Sequence, residues 1–230
     1  MLSVKENLNR ITGLIEDTCK ACSRPVDSVH LIAVSKRKDV ETVRQGIEAG
    51  AAHLGENYIQ EAVAKIETLG KKSACWHFIG HLQSNKARFA VPCFEFIHTV
   101  DTFKLAKEIN KQAAKINKVQ NILIQVNISG ETTKSGTTEN DAVDLAREIS
   151  SLDHVALKGL MCMPPFFADP EEARPYFRQL AGLKDKINAL CMDGIALEHL
   201  SMGMSNDFRV AIEEGATMVR VGTSIFGERD

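Results

Sequence analysis

Strand-like apolar runs and amphipathic helix-like stretches alternate along the whole chain, which predicts an α/β fold of the (β/α)8 TIM-barrel class. Three observations carry that expectation. Eight candidate strands are separated by seven helical stretches. The units recur at roughly 25–30 residues, the length of one strand, one helix and two short loops. No linker, low-complexity tract or shift in composition divides the chain, so one domain over 1–230 is expected. A doubly wound open sheet is the rival architecture, but it more often uses fewer strands.

The elements follow in order. Residues 3–22 alternate charged and apolar residues at helical spacing, forming an additional N-terminal helix that either covers the barrel bottom or supplies the eighth outer helix. Strands are expected at 30–35, 52–55, 75–80, 95–100, 121–128, 155–161, 197–202 and 218–222. Helices are expected at 39–49, 56–69, 84–90, 102–116, 138–152, 170–190 and 206–214. Within the stretch 138–152, Ala142, Val143, Leu145, Ala146 and Ile149 recur at spacings of three and four. Ser84, Asp101 and Thr138 stand at or near helix starts as caps, and Gly50 and Gly215 follow helices as C-terminal caps.

Composition excludes several functions. The net charge is −2, no long run of one sign occurs, and there are only 2 Tyr and 1 Trp. A nucleic-acid footprint and base-stacking platforms are therefore not expected. No stretch approaches the roughly 20 apolar residues of a membrane span, and the N-terminus lacks the apolar block of a signal peptide. A cytoplasmic protein with reduced thiols is expected, despite 6 cysteines. Cys19 and Cys22 have metal-ligand spacing, but no second Cys/His pair completes a set around them, so no metal site is read from the sequence.

The candidate chemistry begins in "VHLIAVSKRKD", residues 29–39, where an apolar strand runs into Lys36. Ile32, Val34 and Lys36 share one face by the strand's period of two. If that face is the barrel interior, Lys36 emerges at the C-terminal mouth, where barrels collect functional groups. A strand-end lysine commonly projects into water. Beside an apolar wall, its charged form is disfavoured and the amine becomes a nucleophile able to form a Schiff base. Two further junctions lie in "LSMGMSNDFRVAIEEGATMVRVGTSIFG", residues 200–227. Gly203-Met204-Ser205 leads into a helix and Gly222-Thr223-Ser224 ends the last strand, the two positions where barrels often bind phosphate. Ser205 and Asn206 read equally as helix caps, and Gly222 as a tight turn. Met218, Arg220 and Gly222 share a face, so Arg220 inside the barrel requires an acceptor, either a carboxylate or a heterocyclic nitrogen of a ligand. A Schiff-base lysine, a phosphate nest and an inward arginine together point to pyridoxal 5'-phosphate.

The sequence also resembles a known family over nearly its whole length. The stretches carrying the resemblance are "LIAVSK" ending at Lys36, "LGENYIQE" (54–61), "WHFIGHLQSNK" (76–86), "QVNISGETTKSG" (125–136), "KGLMCMPP" (158–165) and the 200–227 segment. They are similar to those of the pyridoxal phosphate homeostasis proteins, single-domain relatives of the alanine racemase barrel. The resemblance implies that Lys36 bonds the cofactor aldehyde, that Met204 (through its backbone), Ser205, Gly222 and Thr223 hold the phosphate, that Arg220 faces the pyridine nitrogen, and that Asn57 lines the pocket. "MCMPP" departs mildly from the family pattern in a way that affects packing. The β-domain of alanine racemase, with its acid/base tyrosine, has no counterpart here.

An arginine at the ring nitrogen donates a hydrogen bond but no proton, which leaves the ring a poor electron sink. A second base opposite Lys36 is also missing: Tyr58 and Tyr176 are the only tyrosines, His81 follows the third strand, and His77 reads as wall or core. The resemblance thus implies a protein that holds and releases pyridoxal phosphate as part of vitamin B6 homeostasis. It would act as a monomer, with apo-enzymes as recipients and catalysis absent or very weak. Three alternatives stay open: a weak amino-acid racemase, a Schiff-base aldolase using Lys158, and a scaffold for other proteins.

Overall fold

The computed structural model describes residues 2–131 and 135–228; residues 132–134, within the 125–136 stretch singled out above, lie outside the described residues. Eight parallel strands close into a barrel in sequence order. They are β1 (His30–Val34), β2 (His53–Glu56), β3 (Cys75–Phe78), β4 (Phe96–Val100), β5 (Gln120–Gln125), β6 (Val155–Met161), β7 (His199–Ser201) and β8 (Met218–Val221). The helices are α1 (Val4–Ala21), α2 (Val40–Glu48), α3 (Ile59–Leu69), α4 (Ala87–Cys93), α5 (Phe103–Lys115), α6 (Glu139–Ile149), α7 (Arg174–Ala189), α8 (Phe208–Glu213) and α9 (Thr223–Phe226).

Helix α1 packs against α8, α9 and α2. It therefore stands in the outer ring as the eighth helix rather than across the barrel bottom, because α9 is only one turn long. A capping box starts α1: Ser3 Oγ accepts from the Glu6 amide, and Glu6 Oε2 accepts from the Ser3 amide. Its buried stripe is Leu8, Ile11, Ile15 and Cys19. Arg10 and Asn7 on the same helix donate to the carbonyls of Ser224 and Ile225 in α9.

Several boundaries shift from the sequence expectation. The strand expected at 121–128 spans Gln120–Gln125, and the one at 197–202 is only His199–Ser201. The helix expected from Asn206 begins at Phe208 after a turn. Ser84 sits in a 3-10 turn and not at a cap; Thr102, one residue past Asp101, caps α5 by accepting from the Leu105 amide. Thr138 caps α6 as expected, and Gly50 and Gly215 follow their helices with φ of 103° and 97°.

Strand alternation builds two cores. Val219 and Val221 join the large core between strands and helices. Ile32, Leu123, Met161 and Met218, with Phe96 packed on them, form a smaller cluster within the barrel. Gly159 lies where a Cβ would come within 2.0 Å of the His199 carbonyl oxygen, so β6 and β7 depend on a glycine there. Bulges interrupt β4 between Ile97 and Val100, and β6 beside Lys158. Bulges re-aim side chains, and these two fall at His98 and Lys158.

Candidate functional site

Strand β1 ends at Val34, and Lys36 lies two residues beyond it, half-buried, in a turn at the C-terminal rim of the barrel. The following residue, Arg37, has φ of 60°, a left-handed conformation that a non-glycine residue adopts only when its surroundings enforce it. A buried cluster beneath the turn provides that enforcement. Lys65 of α3, 3% exposed, donates to the Ser35 carbonyl at 2.7 Å, to Glu56 Oε1 at 2.8 Å and to Glu61 Oε1 at 2.6 Å. Ser35 Oγ donates to the same Glu56 oxygen at 2.7 Å, and the Arg37 amide donates to Glu61 Oε1. Burial pushes the Glu56 carboxyl up, opposed by the adjacent Lys65 ammonium. The peptide leading into Lys36 is thereby tied to α3 and to the end of β2.

Strand β8 brings the second element beside Lys36. Its register pairs Ile32 with Arg220 and Ala33 with Val221, which sets Gly222 beside Val34. A Cβ on Gly222 would meet the Val34 carbonyl oxygen at 3.2 Å, so the backbones approach closely there. Thr223 is exposed at the start of α9. Arg220 is 4% exposed. Its Nη1 donates to Ser201 Oγ at 2.6 Å and its Nη2 to the Cys162 carbonyl at 2.9 Å. Both acceptors are neutral, and among the described residues no carboxylate pairs with it directly. Burial lowers its pKa, yet a guanidinium keeps its charge near neutrality.

After β7, Gly203 turns with φ of 87°. The Met204 amide donates to Asp207 Oδ1 at 2.6 Å, so that amide already has an acceptor, contrary to the expectation that its backbone is open to a phosphate. Ser205 is exposed in the turn before α8.

A cavity of about 440 Å³ opens at the same end of the barrel. Asn57, His81, Thr99, Gln125, Asn127, Ser135, Met163 and Met204 are among its lining residues. Asn57 and Met204 are thus brought together on its wall, while Lys36, Ser205, Arg220, Gly222 and Thr223 lie on the adjoining β1, β7 and β8 side and do not line it. Asn57 Oδ1 is buried without a hydrogen-bond partner among the described residues, an acceptor that a bound hydroxyl would satisfy. Thr99 Oγ1 donates to the Gly80 carbonyl at 2.6 Å and Gln125 Nε2 to the Ser135 carbonyl at 3.0 Å, which fixes two further walls.

Other candidates are engaged elsewhere. Tyr58 accepts from Arg37 at 3.2 Å and Tyr176 stacks on Phe167. Lys158 pairs with Glu198 at 2.8 Å. His81 is exposed and reaches the cavity rim. His77 is buried in the barrel interior, as expected of a wall or core residue.

Fold and site together define a (β/α)8 barrel with a lysine at its mouth. The family model for the alanine racemase N-terminal domain matches residues 11–230. Pyridoxal phosphate homeostasis proteins of Vibrio alginolyticus and Aquifex aeolicus are each 43% identical. The first match covers 100% of this chain and 99% of the relative, the second 97% of each. The chain therefore belongs to the alanine racemase N-terminal domain family, in its branch of pyridoxal phosphate homeostasis proteins. Among solved structures, PipY of Synechococcus elongatus with pyridoxal phosphate bound superposes with a TM-score of 0.81 at 35% identity, covering 93% of this chain and 100% of PipY. An alanine racemase of Clostridium difficile shares the fold, with a TM-score of 0.75 at 17% identity, covering 98% of this chain and 56% of the racemase.

Sequence reasoning missed the Lys65–Glu56–Glu61 cluster. Its only signal was charged residues on the inward side of α3 and at the end of β2. It also missed a line of histidines inside the barrel. His53 Nδ1 meets His77 Nε2 at 3.0 Å, His77 Nδ1 meets His98 Nε2 at 2.9 Å, and His98 Nδ1 meets Ser201 Oγ at 2.9 Å. Burial lowers the pKa of all three rings, that of His53 to about 4.

Proposed function

We propose that the chain binds pyridoxal 5'-phosphate at the barrel mouth and serves to hold and supply it. The observation that carries this is the pinned turn at Lys36, set between the end of β8 and the end of β2 by the barrel register. The residues fit the group. Lys36 supplies the amine for covalent attachment, and the unpartnered Asn57 Oδ1 offers an acceptor for a ligand hydroxyl. Gly222 and Thr223, with Ser205 from the β7 loop, offer small and hydroxylated positions for a phosphate. The Met204 amide would contribute only if Asp207 gave it up. Arg220 would present guanidinium N–H groups to the ring nitrogen. When bound, the cofactor supplies a reactive aldehyde and an electron-withdrawing ring. The role of the protein is to fix one and restrain the other.

Holding is favoured over turnover. A permanently charged Arg220 donates no proton, and neither tyrosine lines the cavity, Tyr58 bonding Arg37 and Tyr176 stacking on Phe167. The Lys158–Glu198 ion pair argues against an aldolase on that lysine. Delivery to apo-enzymes, a monomeric state and a cytoplasmic setting belong to the same reading. Among the described residues Cys19, Cys22, Cys75, Cys93 and Cys191 form no disulfide, which suits that setting.

Titration of apo-protein with pyridoxal phosphate, followed by visible absorption, tests the reading. The wild type should develop a saturable band. The Lys36→Ala variant should develop none, while keeping weaker, phosphate-anchored binding. An unchanged band in the variant would reject Lys36. Turnover that depends on Lys36 in a chiral amino-acid assay would replace holding with racemisation.

A further inference from the structure

At the opposite end of the barrel, the first residues of β1, β2, β3 and β7 are His30, His53, Cys75 and His199. Parallel pairing sets His53 directly beside Cys75. Cys75 and His77 share a strand face because they are two residues apart. One ligand atom each from His53, Cys75 and His77 lies within 4.8 Å of the others. We propose that these three side chains form a binding site for a borderline-soft divalent cation, zinc foremost, at the N-terminal end of the barrel.

The donor set determines the choice of ion. Two imidazoles and a thiolate suit zinc far better than magnesium or calcium, which take oxygen ligands. Three protein ligands leave a fourth position for water. The site is also supported from behind. The His77 ring stacks on Phe96 at 5.1 Å with the planes 8° apart. Its second nitrogen meets His98, whose far nitrogen meets Ser201. Outer partners of this kind fix a ligand's tautomer and orientation. His53 and Cys75 are half-buried and His77 is fully buried, so the cluster is reached from one side.

The protons balance. The N–H shared between His53 and His77 is replaced by the ion, and that proton moves to the far nitrogen of the ring that held it. Both rings stay neutral. Cys75 binds as thiolate and loses its proton to solvent, so uptake should release one proton per ion at neutral pH.

The test uses the purified full-length protein, dialysed against a chelator and then titrated with zinc in competition with a chromophoric chelator. One ion should bind per chain with sub-micromolar affinity, with a net release of one proton read calorimetrically in buffers of different ionisation enthalpy. Cys75→Ser and His53→Gln should each weaken binding about 100-fold or more, whereas Cys22→Ser should not. Cobalt should give a thiolate charge-transfer band that Cys75→Ser abolishes. If either variant fails to fold, the wild-type cobalt spectrum decides, since a missing thiolate band overturns the site. Absence of one-to-one uptake, or uptake undiminished in both variants, also overturns it.

Discussion

Lys65 is the residue on which the mouth geometry turns. It is nearly inaccessible, satisfies the Ser35 carbonyl and sits between two carboxylates. Replacing one member of a buried ion pair leaves the other charge uncompensated, at a cost of about 3–5 kcal/mol. Lys65→Met should therefore lower stability by that amount in urea unfolding, and weaken cofactor binding by freeing the turn at Lys36. A loss under about 1 kcal/mol would mean that the cluster is not structural. The position of Lys36 at the barrel rim was legible in the sequence, because a lysine that closes an apolar strand is conspicuous. Lys65 was not. In sequence it is one charged residue among several on an amphipathic helix, and only the closed barrel brings it under β1. Arg220 was half legible. Its inward face followed from the strand period, but its acceptors, Ser201 Oγ and a backbone carbonyl, come from neighbouring strands.

At the scale of elements, close backbone approach limits what the strands tolerate. At Gly80, a Cβ would lie 2.2 Å from the Asn57 carbonyl oxygen. Gly80→Ala must push the ends of β2 and β3 apart. We expect a loss of at least about 2 kcal/mol and weaker cofactor binding through displacement of Asn57, both measurable on one variant by thermal unfolding and absorption titration. Unchanged binding would separate Asn57 from the site. Strand and helix order was legible because each unit keeps its own period. The ends were less so. The strand expected at 121–128 stops at Gln125; the Val126 amide still donates to the Met161 carbonyl of β6, and beyond it the chain turns to Thr137, which Val126 bridges. The helix expected from Asn206 starts late because Asp207 takes the Met204 amide instead. Such local hydrogen bonds compete with regular structure and leave little trace in apolar periodicity.

For the whole molecule, the histidine line ties stability to pH. His53, His77 and His98 have folded pKa values depressed by burial. The unfolded chain therefore binds more protons below the ordinary histidine pKa. Stability is fully present above about 6.5 and is lost as pH falls from there toward 4. The fully buried His77 and His98 steepen that loss, each by at most about 1.4 kcal/mol per pH unit once the unfolded ring is fully protonated. Urea midpoints of chelator-treated protein at pH 7 and pH 5 should differ accordingly, and equal midpoints would contradict neutral buried rings.

We propose that Lys36 holds pyridoxal phosphate. The most direct test is to load the protein with the cofactor, reduce it with borohydride and locate the modified peptide by mass. A single pyridoxyl group on Lys36 is expected. A label on Lys65, Lys158 or another lysine, or no label at all, would contradict it.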